Sequence, residues 1–275
     1  MIHDSFLKVK LLDWDIMRFE ELLLGHFKYG TKPEDILHEK DYDRIRKNVV
    51  LAPWWTPDIF EGNNMVITQI NNSFFDIVGE DFAFSYLRTG LGAPAVLEYV
   101  LPLGVTACEN LIFIGAVGSL DQAIKIGDIV IPSSSICGNG TSRYLNTNLE
   151  DDFGKEEYPD EALMNRVKNY CDTHEIKYYT VKNFSIDTIF AQFAHIEKIL
   201  EYGCQTIEME TAAVFKAARI CNIKAMAIFC VSDNTITKKS IFSGRTEAER
   251  IYQRKQKKDI IPSLLKEIYK CDTTD

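Results

Sequence analysis

Thr206-Ile-Glu-Met-Glu-Thr-Ala-Ala-Val-Phe-Lys-Ala-Ala-Arg-Ile-Cys-Asn-Ile-Lys-Ala-Met-Ala-Ile-Phe-Cys-Val-Ser-Asp-Asn234 is the stretch whose reading decides the fold. Its opening residues read as a short strand, Thr211 to Cys221 as a helix, and Ala225 to Val231 as a long apolar strand. The same alternation extends outward in both directions. Toward the N-terminus come a helix over Phe193 to Tyr202, closed by Gly203, and a strand over Lys177 to Lys182. Before them lie a helix over Asp160 to His174, strands at Asp128 to Ile131 and Asn110 to Ile114, and a helix over Ala95 to Leu101. A strand at Phe82 to Leu87 is preceded by a hairpin, Met65 to Ile70 and Ser73 to Val78, turning at Asn71-Asn72. Val49 to Ala52 is a buried strand stopped by Pro53. Toward the C-terminus, Glu247 to Lys270 reads as one closing helix. Such alternation predicts an α/β domain with a mixed or mostly parallel sheet covered on both faces.

That domain is expected over residues 47–275, with 1–46 as an N-terminal helical extension. There Trp14, Met17, Leu22 to Leu24 and Phe27 suggest an amphipathic helix, followed by a turn and helix start at Thr31-Lys-Pro-Glu-Asp. The chain has 275 residues, 46% of them hydrophobic and 26% charged, which excludes disordered and low-complexity classes. A formal charge of -9 argues against nucleic acid as a partner, since a phosphate groove needs clustered basic residues. No apolar run approaches the ~20 residues that cross a bilayer, and Met1-Ile-His-Asp-Ser-Phe lacks the order of a secretory signal. The seven cysteines are scattered with no CxxC pair, the pattern of reduced thiols in a cytoplasmic protein. The five histidines show no metal-ligand spacing, so neither metal nor cofactor is expected. Arg254 to Lys258 reads as a solvated basic face.

Ligands of such sheets bind beyond the carboxyl ends of strands, so chemistry is sought after each apolar run. Four places qualify: Arg88-Thr89-Gly90-Leu-Gly92, Gly115-Ala-Val-Gly118-Ser119, Glu208-Met209-Glu210 and Ser232-Asp233-Asn234. Glycine pairs let backbone N–H groups approach a ligand, though they serve tight packing equally well. Strand alternation puts Glu208 and Glu210 on one side, opening the helix that follows. They either complement its N-terminal charge or accept hydrogen bonds from a vicinal diol such as ribose, with the Met209 thioether against the sugar face. Asp233, at the mouth of an apolar strand, is either a turn cap or a desolvated carboxyl with raised pKa able to act as a general acid.

Taken together, Thr89-Gly-Leu-Gly-Ala-Pro, Gly115-Ala-Val-Gly-Ser-Leu, Gly127-Asp-Ile-Val-Ile-Pro, Ile207-Glu-Met-Glu-Thr-Ala-Ala-Val-Phe and Cys230-Val-Ser-Asp-Asn resemble the purine nucleoside/uridine phosphorylase family over about residues 48–270. The resemblance implies one α/β domain around a mixed, barrel-like sheet, a nucleoside as substrate, inorganic phosphate as co-substrate, and a homo-oligomer (dimer, trimer or hexamer). It places Met209 and Glu210, with Glu208 beside them, at the ribose. It makes Asp233 the acid that protonates a departing purine, helped by Arg250 of Ala248-Glu-Arg as in the hexameric bacterial purine branch. Ile189, the adjacent Phe190 and Ser232 fall at the base.

The acceptor side departs from the family. Where phosphorylases carry arginines for phosphate, this chain has Asp58 in Ala52-Pro-Trp-Trp-Thr-Pro-Asp and Phe113 in the strand before Gly115, and Ala116 replaces a hydroxyl. A carboxylate and an aromatic ring cannot clasp a dianion as guanidinium forks do. One expectation is a relocated phosphate site at Arg88, Thr89, Gly90 and Gly115, with Arg143 as a further candidate. A second is hydrolysis by water, as in related nucleosidases, with Asp58 or Glu61 as a base. A third is nucleoside binding without turnover. Trp54 and Trp55 read either as a pocket closure or as a core plug or subunit contact.

Overall fold

A computed structural model describes residues 16–30, 32–62 and 64–270. Trp14 and Thr31, named above for the extension, lie outside the described residues. In chain order the extension carries helices α1 (Phe19–Lys28) and α2 (Pro33–Glu39), then come strand β1 (Asn48–Ala52), the hairpin β2 (Val66–Gln69) and β3 (Phe74–Val78), and β4 (Ala83–Arg88). Helix α3 (Ala93–Val100), strands β5 (Asn110–Ser119), β6 (Ile129–Gly138) and β7 (Glu156–Glu157), helix α4 (Glu161–Thr173) and β8 (Tyr178–Ile186) follow. The chain continues through α5 (Ile189–Gln192), α6 (Ile196–Glu201), β9 (Thr206–Glu208), α7 (Thr211–Ile220), β10 (Lys224–Asn234), α8 (Glu247–Lys255) and α9 (Ile261–Ile268).

The sheet closes on itself through five strands. β5 pairs parallel with β10, β10 antiparallel with β6, β6 parallel with β8, β8 parallel with β9, and β9 returns antiparallel to β5. β5 also pairs parallel with β1, which opens the sheet into an arm ordered β1-β4-β3-β2. The expected single α/β domain with a mixed, barrel-like sheet is what forms. Closure leaves the five barrel strands without an open edge, while the arm ends in the edge strand β2.

Two apolar clusters cover the two faces. One holds Phe113 against Phe229, ring centroids 5.1 Å apart and edge to face, under α3 and α7. The partly buried Ile16, Phe19, Leu22 and Leu37 of the extension pack on this same cluster. The other joins Ile112, Ile114 and Ile228 to Leu163 of α4 and Leu264 of α9. β1, β4, β5 and β10 run parallel, so their carboxyl ends gather at one edge.

Two helices break where the sequence reads as continuous. Glu247 to Lys270 divides into α8, a π-helical turn over Gln256–Ile260, and α9. Pro262 at the start of α9 has no N–H to offer the preceding turn and crowds its carbonyl, which accounts for the widened turn. The helix read over Phe193 to Tyr202 begins at Ile196 as α6, and a separate short helix, α5, precedes it, started by the Thr188 hydroxyl, which accepts from the Ala191 amide at 3.3 Å. Among the described residues no helix is long and apolar enough to cross a membrane.

Candidate active site

The two strands that lead to the carboxyl groups singled out by the sequence flank one glycine. Gly118 of β5 pairs with Asp233 of β10 on one side and with Ile207 of β9 on the other. A Cβ placed at 118 would lie 3.0 Å from Asp233 Oδ2 and 3.3 Å from Ile207 Cγ2. A side chain here would be tight, and the Asp233 carboxyl or Ile207 would have to give by a few tenths of an ångström. Glu210 comes three residues after Ile207, so Asp233 and Glu210 sit at the ends of the two strands, β10 and β9, that flank β5 at this position.

Glu210 is buried between two helix starts. It is the N-cap of α7, and its Oε1 accepts from the Gly92 amide, the N-cap of α3, at 2.6 Å. Gly92 stands at φ +92°, a left-handed conformation that aims its N–H at the carboxyl and that a larger residue would resist. Burial and the neighbouring Glu208 nevertheless push Glu210 up to about 8, against the pull of that amide. Since the folded chain holds this proton more tightly than the unfolded one, wild-type stability falls as pH rises from the ordinary glutamate range through about 8, then levels. Glu210→Gln should accordingly gain melting temperature relative to wild type between pH 5 and 8.5. An equal difference at both ends of that range contradicts the assignment.

Glu208 has the other role. Its Oε1 accepts from Asn183 Nδ2 at 2.7 Å and Ser185 Oγ at 2.6 Å, and its Oε2 from the amides of Glu210 at 2.7 Å and Thr211 at 2.8 Å. All its favourable directions are used inside the barrel, so its expected place at the ribose is corrected. It completes the N-terminus of α7, and Glu210 alone of the pair remains for a sugar. Met209 is half-buried beside it.

Asp233 sits where β10 bulges away from β5, between Val231 and Asp233. Its Oδ1 accepts from Ser232 Oγ at 2.6 Å, and that hydroxyl also lies 3.1 Å from Val117 O. Burial pushes the Asp233 carboxyl up, while the Ser232 hydrogen bond and the Arg245 charge pull the other way, and the net shift is upward. Arg250, expected to assist it, points elsewhere. Its side chain is half exposed on α8 and approaches Glu247 at 3.9 Å. The Thr246–Glu249 capping box fixes the start of α8 at the surface, with none of the helix's residues buried, and Arg250 goes with it. The guanidinium acting on Asp233 is that of Arg245, which the sequence reading passed over.

On the base side, Ile189 is 44% and Phe190 93% exposed, so neither forms an enclosed stacking wall within one chain. Instead Phe193, Ala194, Ile196 and Glu197 face Thr235 and Ile236 across a cavity of about 510 Å³. It is an open groove whose lining reaches Thr235, two residues beyond Asp233.

A family model described as the phosphorylase superfamily matches residues 83–258, more than half of the chain. The chain belongs to that superfamily. Purine nucleoside phosphorylase of the DeoD type from Bacillus velezensis is 28% identical over 153 residues, 54% of this chain and 63% of that protein. The chain thus spans somewhat under two thirds of the length of such curated relatives. Among solved structures, uridine phosphorylase from Vibrio fischeri superposes with a TM-score of 0.69 at 17% identity, covering 82% of this chain and 92% of its own. The 5'-methylthioadenosine/S-adenosyl homocysteine nucleosidase from Campylobacter jejuni gives 0.65 at 14%, covering 81% and 98%. At these identities the structural likeness concerns the fold.

The residues read above for the acceptor side are mostly tied up in other contacts. Phe113 is 1% exposed and packed on Phe229, a core residue with nothing to offer an anion. Asp58 accepts from the Thr56 hydroxyl and pairs with Lys258 at 3.3 Å, and these contacts hold its carboxyl below the usual range. Glu61 is exposed. The expected replacement cluster is largely committed elsewhere. The Thr89 amide donates to Ala52 O at 3.1 Å, its hydroxyl to Gly90 O at 2.9 Å, and the Gly90 amide to Pro53 O at 3.1 Å. Gly115 is buried, facing Phe229 and Pro53. Thr89 and Gly90 therefore shape the turn and Gly115 lies inside β5 against Phe229, which corrects their reading as anion donors, and Arg88 stands exposed at the end of β4. Arg143 is turned to Asp151 at 2.8 Å. Trp55 is buried and receives the Tyr86 hydroxyl on its carbonyl at 2.7 Å, whereas Trp54 is 66% exposed.

Proposed function

We propose that the chain cleaves the N-glycosidic bond of purine nucleosides, with inorganic phosphate as the acceptor. The observation that carries this reading is the pair Asp233 and Glu210, each with its pKa raised by burial, at the ends of β10 and β9, the two strands that flank β5 at Gly118. Bond cleavage leaves positive charge on the sugar and negative charge on the base. A proton from Asp233 to the base ring nitrogen discharges the leaving group as the glycosidic electron pair departs with it. Glu210, oriented by Gly92, holds the sugar hydroxyls while phosphate attacks the anomeric carbon. DeoD-type purine nucleoside phosphorylases among the relatives support the purine and the phosphate. The enzyme is expected to act as a homo-oligomer in the cytoplasm.

A second reading, hydrolysis, is favoured by Phe113 and Asp58 standing where arginines would bind phosphate. One experiment separates the two. Free base is measured from inosine, adenosine and uridine, each with and without phosphate. Purine release that requires phosphate supports phosphorolysis, phosphate-independent release supports hydrolysis, and nucleoside binding without release makes the chain a binding protein. Arg88→Ala should raise the phosphate concentration needed for half-maximal rate by about tenfold, the loss of one charge-assisted contact. An unchanged requirement removes Arg88 from the acceptor site.

A further inference from the structure

Arg245 lies in the segment joining β10 to α8, and its guanidinium reaches the backbone of Ser232, the residue before Asp233. Nη1 donates to Ser232 O at 3.3 Å and faces Gln253 Oε1 of α8 at 3.5 Å, while Nη2 donates to Ile241 O. Nε is buried and has no hydrogen-bond partner. The residue whose carbonyl it grips is also the one whose hydroxyl holds Asp233 Oδ1. We propose that Arg245 is the positioning residue of the acid, fixing the Ser232-Asp233 bulge and stabilising the carboxylate that remains after Asp233 gives its proton to the departing base. This rests on Asp233 being the acid of the reaction proposed above.

The surroundings favour one cation in this role. β5 presents Gly118 to Asp233, and β9 presents Ile207. Lys239, in the same connecting segment, is held by Glu249 of α8, and Gln253 is neutral. Among the described residues, the charge acting on Asp233 is that of Arg245. A fixed cation there has a definite chemical consequence. Before transfer Asp233 is neutral and gains little from it. After transfer the proton and the bond electrons are on the base, Asp233 is an anion, and the attraction is fully present, so the product side of proton transfer is stabilised.

The test reads the Asp233 titration directly, without turnover. The carboxyl infrared band that disappears in Asp233→Asn is followed against pH in wild type, Arg245→Gln, Arg245→Lys and Arg250→Gln. Removing the cation should raise the midpoint of Asp233 by about one pH unit in Arg245→Gln, with Arg245→Lys close to wild type and Arg250→Gln unmoved. The alkaline limb of the rate profile should shift upward with it, and the plateau should fall about tenfold as the acid weakens. A midpoint in Arg245→Gln equal to that of wild type, or an equal shift in Arg250→Gln, overturns the inference. Should Arg245→Gln fold poorly, a wild-type midpoint in Arg245→Ala that guanidinium does not lower on addition overturns it as well. Failure of the underlying reading is seen separately, as unimpaired purine release by Asp233→Asn.

Discussion

Replacing Asp233 by Asn lowers purine release by about 10²–10⁴-fold, the usual contribution of a positioned general acid, and leaves nucleoside binding within about threefold of wild type. Asn keeps the size and can keep the contact to Ser232 Oγ that now measures 2.6 Å, so the bulge of β10 has little reason to move. What it loses is a transferable proton. A substrate whose base leaves without protonation at a ring nitrogen is spared most of the loss. Rates for inosine and for a nucleoside with an activated leaving group should therefore diverge between the two proteins. Parallel losses in turnover and affinity would make Asp233 a structural residue, and the site would have to be sought elsewhere. Raised by burial, the acid stays protonated to higher pH than an ordinary aspartate, and its contribution is lost as pH climbs through its folded value.

The apolar half of this fold is legible in the sequence, and the polar half is much less so. Every core strand announces itself by a run such as Leu111 to Ile114 or Ala225 to Val231, and each is a strand in the structure. The runs end early, however. β5 continues through Gly115 to Ser119, β6 through Pro132 to Gly138, and β8 through Asn183 to Ile186. These extensions carry Ser119, Ser134, Ser135, Asn183 and Ser185, all buried, which a hydropathy pattern reads as loop. They stay in the barrel because they bond to one another. Ser135 Oγ lies 3.0 Å from Ser185 Oγ, Asn183 donates to Ser135 at 2.8 Å, and both Asn183 and Ser185 donate to Glu208. The same network decides between the two glutamates. Glu208 and Glu210 look alike in sequence, and which one is consumed internally depends on strand β8, more than twenty residues away. Asp233 and Glu210 can be singled out as candidates from strand mouths and motif. Arg245 could not be, because its approach depends on the path of the segment from Thr235 to Thr246, which no periodicity fixes. The nearest clue is its position just before a helix cap, where a basic residue is unremarkable.

Lys216→Met lowers stability by about 3–5 kcal/mol, the cost of leaving a buried charge without its partner. Lys216 and Asp152 are 1% and 2% exposed and in direct contact, and Lys216 Nζ also donates to Asn146 Oδ1 at 2.6 Å and Ser142 O at 3.2 Å. Burial alone would raise the Asp152 carboxyl, but the hydrogen bonds from Lys216, Asn146 and Lys155 outweigh it and hold the group below its ordinary value. A lowered carboxylate contributes stability above the unfolded pKa and loses it as pH falls through the folded one, so the deficit of Lys216→Met shrinks in acid. Expressed as melting temperature, the loss at neutral pH is roughly 6–20 °C, at ~2–4 °C per kcal/mol for a domain of this size. Lys216→Met combined with Asp152→Leu should recover most of it, since an apolar pair of similar volume avoids the desolvation cost altogether. A loss below ~1 kcal/mol in the single variant would mean that solvent reaches Asp152, contrary to its burial. Lys216 lies on α7, whose N-cap is Glu210, and its pairing with Asp152 ties that helix to the connection between β6 and β7. Loosening it should therefore weaken nucleoside binding through the sugar carboxyl while leaving the Asp233 titration unmoved, a combination that global unfolding does not produce.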